Sequence, residues 1–267
     1  MKTLSMILVI AVVVIGGFYL LNDSPYTAEE PDTMSGDLAG GTMLAHSEAQ
    51  VVPIEHATGI LRWNNNVIYF DPTGGASAFE GQPAANIILV TDVHGDHLEP
   101  ETLEAVIGDA TLIVPQAVKD ELPENLAMRA KVLANGASLV EQGLTITGVP
   151  MYNRPEAENA KFHAKGRGNG YIIEQDGYRV YIAGDTAGIP EMRALQNIAI
   201  ALVPMNLPYT MDVEEAADAV LAFKPKKVYP YHYRGQDGLS DVNKFKELVN
   251  AGDPNIEVVL ANWYPQQ

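Results

Sequence analysis

The sequence contains no cysteine, which removes disulfides, thiolate nucleophiles and thiolate metal sites together. Any metal must then be held by imidazole and carboxylate. Basic residues are also scarce, with 17 Lys and Arg against 34 Asp and Glu and a formal net charge of −17. Such a surface repels phosphate backbones unless a local basic patch intervenes, so nucleic acid is not an expected partner. No internal repeat on the scale of roughly 20–50 residues is present, which leaves one sizeable core as the economical reading of 267 residues.

The N-terminus carries the strongest apolar signal. From Leu4 to Leu21 there is no charge, and the run is about long enough for a helix that crosses a bilayer. Lys2 precedes it, while Asp23, Glu29, Glu30 and Asp32 follow with no Lys or Arg before Arg62. That bias predicts a single-pass anchor over residues 1–21 in the cytoplasmic membrane, with the rest on the extracytoplasmic side. A cleaved signal and secretion are the alternative, but the apolar core is long for one and no small-x-small site follows closely. Residues 22–50, rich in Ser, Gly, Thr, Pro and acids, read as a flexible tether. Residues 51–267 would form the folded domain.

That domain reads as short β-rich runs bounded by Gly, Asn, Asp and Pro: Thr58 to Arg62, Asn66 to Phe70, Ile87 to Val90, Leu112 to Val114 and Leu144 to Val149. Tyr171 to Glu174, Tyr178 to Ala183, Ile198 to Val203, Lys227 to Tyr231 and Ile256 to Leu260 continue the series. Helical spacing occupies Pro100 to Ile107, Pro115 to Leu122, Val213 to Phe223 and Val242 to Ala251. Hairpins followed by mixed strands and helices predict a layered α/β or α+β domain with helices covering sheet faces.

The run Ile87 to Val90 stops at Thr91-Asp92-Val93-His94-Gly95-Asp96-His97, which places four ligand-type side chains within six residues just past a strand. Asp92 and His94 share one side if the segment starts extended, and a sharp turn permitted by Gly95 would bring Asp96 and His97 round to the same volume. Four such groups so close have no packing role, and clustering them without a cation behind a buried strand would be costly. Downstream, Tyr178 to Ala183 ends in Gly184-Asp185, and Lys227 to Tyr231 ends in His232. His163 lies in the glycine-rich stretch Phe162 to Gly170. Alone, each of these is more simply a surface or core residue; together they complete a set.

Thr91 to His97 resembles the signature loop of the metallo-β-lactamase-fold superfamily, Ala183 to Thr186 its bridging-aspartate segment and Tyr229 to His232 its terminal-histidine segment. His56-Ala57-Thr58 with Tyr69-Phe70-Asp71-Pro72 resembles, more loosely, the branch containing ascorbate-6-phosphate lactonase and N-acyl-phosphatidylethanolamine phospholipase D. The resemblance implies a four-layer αββα sandwich, with two mixed β-sheets flanked by helices and two divalent ions, Zn, Mn or Fe, on one rim. It implies that His94 and His163 hold the first metal, that Asp96, His97 and His232 hold the second, and that Asp185 bridges them. Asp92 departs from the family, which has histidine there. As a ligand its hard oxygen would tilt preference from zinc toward manganese or iron, or it would weaken the first site.

Two such ions share a water, lower its pKa and present hydroxide to an electrophilic carbon or phosphorus. The expected reaction is therefore hydrolysis of an ester-type bond in a small molecule, a phosphodiester or lactone before others, with Asp96 as the residue placed to move a proton. An iron-dependent oxidoreductase on the same fold, or a non-catalytic metal-binding module, are the alternatives. Lys165, Arg167 and Arg234 are unusual cations close to His163 and His232 in an acidic chain, and would favour an anionic substrate; the plainer reading is solvated loop residues. His56 is either a support beside the metal rim or a structural histidine. Tyr209, Tyr229, Tyr231 and Tyr233 line either the pocket or the core. Oligomeric state leaves no signal in the sequence.

Overall fold

A computed structural model describes residues 48–265 of the chain. Strands β1 (Gln50–Glu55), β2 (Thr58–Trp63) and β3 (Asn66–Phe70) form an antiparallel meander, after which β4 (Ile87–Leu89), β5 (Thr111–Val114) and β6 (Lys131–Val132) add in parallel. Their order in the sheet is β1-β2-β3-β4-β5-β6. Helices α1 (Pro100–Val106) and α2 (Gln116–Glu121), with the short α3 (Glu124–Ala127), lie between its parallel strands in sequence.

The second sheet begins with antiparallel β7 (Ser138–Glu141), β8 (Leu144–Met151), β9 (Gly168–Gln175) and β10 (Tyr178–Ile182). After α4 (Pro190–Arg193) it continues in parallel through β11 (Ile200–Pro204) and, past α5 (Val213–Phe223), β12 (Lys227–Tyr231). A hairpin, β13 (Arg234–Gly235) and β14 (Gly238–Leu239), then precedes α6 (Val242–Gly252) and the edge strand β15 (Glu257–Val258). The two longer helices start where the sequence offers caps. Asp212 accepts from the Glu215 amide at 2.7 Å, and Asp241 accepts from the Asn243 and Lys244 amides at 3.0 and 2.9 Å.

Strand alternation divides the interior. Ile87 and Leu89 join Leu61, Phe70, Ile146, Tyr171 and Ile173 in the core shared by the two sheets, whereas Ile88 and Val90 pack with Leu103, Leu112 and Val118 under α1 and α2. This explains why β4 reads as an unbroken apolar run: a parallel strand covered on both faces has no polar side to show. The Tyr171 hydroxyl donates to the Val90 carbonyl at 2.7 Å, tying β9 to the end of β4. The result is the layered α/β fold with two mixed sheets and flanking helices that the resemblance implied.

The membrane expectation is corrected. Among the described residues no helix is long and apolar enough to cross a membrane. α5 and α6, at 11 residues each, span roughly 16 Å against the roughly 30 Å of a hydrocarbon core. The segment read as an anchor, 1–21, and the tether up to residue 47 lie outside the described residues, so the single-pass membrane location, the membrane as partner and the extracytoplasmic assignment are withdrawn. The last residues assigned to the tether belong to the fold: Ala49 is buried, and Lys227 donates to Glu48 at 2.6 Å.

Candidate metal centre

Parallel strands place their C-terminal ends on one rim, and the candidate site residues lie just past them. Asp71 follows β3, Thr91 to His97 follow β4, Asp185 follows β10 and His232 follows β12. His56 sits in the tight turn between β1 and β2, and His163 in the loop before β9. Asp71, His56 and His232 hold left-handed backbone, at φ 45°, 54° and 48°. Such conformations cost non-glycine residues on the order of 1–3 kcal/mol and persist where the surroundings over-determine them. Here the backbone is pinned: the His56 amide donates to the Trp263 carbonyl at 3.1 Å, and the His232 amide to the His56 carbonyl at 3.2 Å.

The rim brings together all seven residues expected to be ligands, in overlapping groups. His97, Asp185 and His232 form a fully buried trio, with His97 Nε2 3.4 Å from Asp185 Oδ2, His232 Nε2 3.2 Å from Asp185 Oδ1 and the two Nε2 atoms 3.2 Å apart. Asp96 adds a carboxylate 3.4 Å from His232 Nε2. Asp92, His94 and His163 form the neighbouring group, with His94 Nδ1 2.8 Å and His163 Nε2 3.8 Å from Asp92 Oδ2. His163 Nε2 is also 3.1 Å from Asp185 Oδ2, so Asp185 stands between the two groups.

The donor set fits a divalent cation. Asp185 Oδ1 and His163 Nε2 are buried and have no hydrogen-bond partner, a costly state for polar atoms unless another group satisfies them. Their neighbours orient each imidazole to present a lone pair. His97 Nδ1 lies 2.8 Å from Asp71 Oδ2, and Asp71 also accepts from the Thr91 amide at 2.6 Å and hydroxyl at 2.7 Å. His97 therefore keeps its proton on Nδ1 and turns Nε2 to the site. His163 does the same by donating Nδ1–H to the Tyr209 carbonyl at 3.1 Å. Asp71 was missed in the sequence as a site residue, although β3 is followed by an acid just as β4 and β10 are.

Charge follows this geometry. Burial opposes ionisation of Asp185, but His232 and His97 beside it, with His163 also close, hold it well below the usual carboxylate range. Burial likewise opposes ionisation of Asp96, and the His56 hydrogen bond with the nearby His97 and His232 outweighs it, so Asp96 is also depressed. Burial would lower His97; Asp185 and Asp71 raise it instead. The trio is a pocket for positive charge.

His56 stands where a support would: Tyr264 hydroxyl accepts from the Arg234 amide at 2.9 Å and can give its own proton to His56 Nδ1 at 2.8 Å, leaving Nε2–H aimed at Asp96 Oδ2, 3.3 Å away. The three cations proposed for substrate have protein partners. Lys165 pairs with Glu191 at 2.7 Å, Arg167 holds both oxygens of Asp92, and the Arg234 guanidinium lies 4.3 Å from the centroid of the Tyr264 ring. A cavity of about 280 Å3 opens over the rim, lined by His94, Asp96, His163 and Asp185 and walled by Phe162, Tyr209 and Asn206. Of the four tyrosines, Tyr209 reaches this cavity, while buried Tyr231 accepts from the Gly184 amide at 2.9 Å in the core.

The glycines act differently from expectation. Gly95 has no left-handed φ, and a Cβ there would meet nothing within 4 Å. The turn is made instead by the His97 and Leu98 amides, which donate to the His94 carbonyl at 2.9 and 2.8 Å. The tight positions are Gly168, where a Cβ would sit 2.8 Å from the Thr91 carbonyl, and Gly184, at φ 65° and 2.5 Å from Met151 Sδ.

A two-sheet sandwich with histidines and aspartates gathered on one rim defines a metal-dependent hydrolase of the metallo-β-lactamase fold, and a family model for the β-lactamase superfamily domain matches residues 50–232. A UPF0173 metal-dependent hydrolase of Thermococcus onnurineus (strain NA1) is 33% identical over 202 residues, covering 72% of this chain and 88% of the relative. A crystal structure from Parabacteroides distasonis ATCC 8503, provisionally described as a metal-dependent hydrolase, is 38% identical with a TM-score of 0.70, covering 79% of this chain and 92% of that one. Igni18, a metallo hydrolase from Ignicoccus hospitalis, shares the fold at 22% identity and a TM-score of 0.67 over 80% of this chain and 95% of its own. The chain belongs to the UPF0173 family of metal-dependent hydrolases.

Proposed function

We propose that this hydrolase cleaves an ester-type bond, a phosphodiester or a lactone, at a centre with two adjacent cation positions joined by Asp185. The observation that carries the reading is the buried trio His97, Asp185 and His232, whose Asp185 has an unpartnered carboxylate oxygen and lines an open cavity. A divalent ion held there by Asp96, His97, Asp185 and His232 would supply Lewis acidity, acidifying water and polarising the oxygen of the scissile bond.

The chain's own groups do the positioning. Asp71 fixes His97, the Tyr209 carbonyl fixes His163, and His56 with Tyr264 fixes Asp96. Asn206 spends its side-chain oxygen on the Thr210 hydroxyl, so its amide N–H groups face the cavity side and remain for a substrate oxygen. Phe162 and Tyr209, packed edge to face at 5.1 Å, would shield the organic part of the substrate from water. Asp96 is reachable from the cavity, but a carboxylate so depressed makes a poor proton acceptor near neutral pH. Its place is better explained as a ligand than as a shuttle.

The test is a screen of metal-loaded protein against generic phosphodiester, lactone and β-lactam substrates, with and without chelator. Chelator-sensitive turnover of a phosphodiester or lactone is expected. Turnover of the β-lactam alone would sink the ester reading.

A further inference from the structure

The two halves of the rim satisfy their polar atoms in different ways. Asp92 is fully buried, and Arg167 grips it with a fork: Nε donates to Oδ1 at 3.0 Å and Nη2 to Oδ2 at 2.8 Å. Nη2 also donates to the Phe162 carbonyl at 2.6 Å and lies 3.4 Å from His94 Nε2. Both Nη2 hydrogens are thereby engaged, and His94 Nδ1 lies 2.8 Å from Asp92 Oδ2, to which it can donate. Both carboxylate oxygens of Asp92 therefore have protein partners, and the buried atom left without one in this half is His163 Nε2. In the other half, the ion-pair partners of Asp96 and Asp185 among the described residues are histidines, and Asp185 Oδ1 has no hydrogen bond.

The charge count runs the same way. With histidines neutral, Asp96 and the shared Asp185 present a formal −2 to an ion in one half, whereas in the other the shared Asp185 is joined by Asp92 and Arg167, which sum to zero, leaving −1. A divalent ion entering the first of these is matched by charge. One entering the second would have to displace or face a buried, charge-assisted fork and a guanidinium at close range.

We propose that Arg167 serves as the resident cation of the Asp92 half. The protein then binds one divalent ion tightly, at Asp96, His97, Asp185 and His232, and a second ion at Asp92, His94 and His163 only weakly. The proposal rests on the metal-centre reading above, yet it is read from the number of bound ions, whereas the ester reading is decided by substrate turnover, so the two fail separately.

The experiment uses the full chain, stripped with chelator and titrated with manganese. Ions retained after gel filtration are counted by elemental analysis, and paramagnetic resonance distinguishes isolated ions from coupled pairs. Wild type is expected to retain one ion with an uncoupled spectrum. Arg167→Met should take up a second ion at least tenfold more tightly than wild type and show coupling, while Arg167→Lys, which keeps the charge, should stay near one. Because Arg167→Met leaves Asp92 unpaired and the variant can fail to fold, the wild-type and Arg167→Lys counts stand as independent tests. Two tightly held, coupled ions in wild type would overturn the proposal, as would two in Arg167→Lys or only one in a folded Arg167→Met. No retained ion in wild type would overturn both the proposal and the ligand assignment.

Discussion

Asp92 and Asp96 stand four residues apart in one loop, both near histidines and both candidates for the same chemistry, yet the structure gives them different company. Asp92 is fully buried and neutralised by Arg167, which arrives from 75 residues away, whereas Asp96 is half-exposed at the cavity and its ion-pair partners among the described residues are histidines. Spacing along a loop identifies groups that share a volume. Whether each group is free for a cation depends on what the rest of the fold brings beside it.

The comparison is broken most directly by removing a ligand from each half. His97→Ala should lower hydrolysis by about 10^3-fold or more, because the loss of Lewis-acid stabilisation is worth several kcal/mol. His94→Ala should cost far less, about 10- to 100-fold, if its half acts mainly through Arg167. Kinetics of the two variants on one substrate, with thermal unfolding to show that both fold, give the contrast. Equal losses would erase the distinction between the halves.

A gentler cut falls on Asp71, whose carboxylate bonds to Thr91 and His97. In Asp71→Asn the Thr91 amide can still donate to the remaining oxygen, but an amide nitrogen would face His97 Nδ1 and push the imidazole proton onto Nε2, the atom turned to the site. Metal affinity should fall about 10- to 100-fold, the usual range for such supporting partners. A chelator competition titration measures it, and unchanged affinity would show that His97 does not depend on this tautomer.

Much of this was legible in the sequence where a local pattern sufficed. Asn66–Phe70, Val213–Phe223 and Lys227–Tyr231 begin and end where periodicity placed them, because turn residues and the Asp212 cap mark their limits. That the acids and histidines share one volume was legible because such residues directly after apolar runs have no packing use. β1 and β7 were not: Gln50–Glu55 and Ser138–Glu141 lie at the outer edges of the two sheets, where half-exposed strands carry little apolar signal. The expected Ile256 to Leu260 strand shrinks to Glu257–Val258, whose pairing with β12 extends over only two residues. The Arg167 fork was invisible for a different reason, since a contact between loops 75 residues apart leaves no trace in either loop's own pattern.

The glycines give the smallest and most local test. A turn rich in ligands invites the view that Gly95 is indispensable, yet its φ lies outside the left-handed region and a Cβ there would meet only open space. Gly95→Ala should therefore change stability by no more than about 0.5 kcal/mol, the scale of an unconstrained surface substitution. Gly184→Ala carries two penalties, a left-handed φ of 65° and a Cβ 2.5 Å from Met151 Sδ and 3.1 Å from Thr91 Cβ. The sulfur end of Met151 can give way, but buried Thr91 is fixed through Asp71, so a loss of about 1–3 kcal/mol is expected. Because Thr91 also steers the carboxylate that orients His97, the strain at Gly184 should appear in metal affinity as well as in Tm, whereas Gly95→Ala should leave both near wild type. Denaturant melts of the two variants with and without metal decide it: matching losses would place the constraint in the ligand loop's own turn, and losses confined to Gly184→Ala would place it in the packing of β10 against that loop.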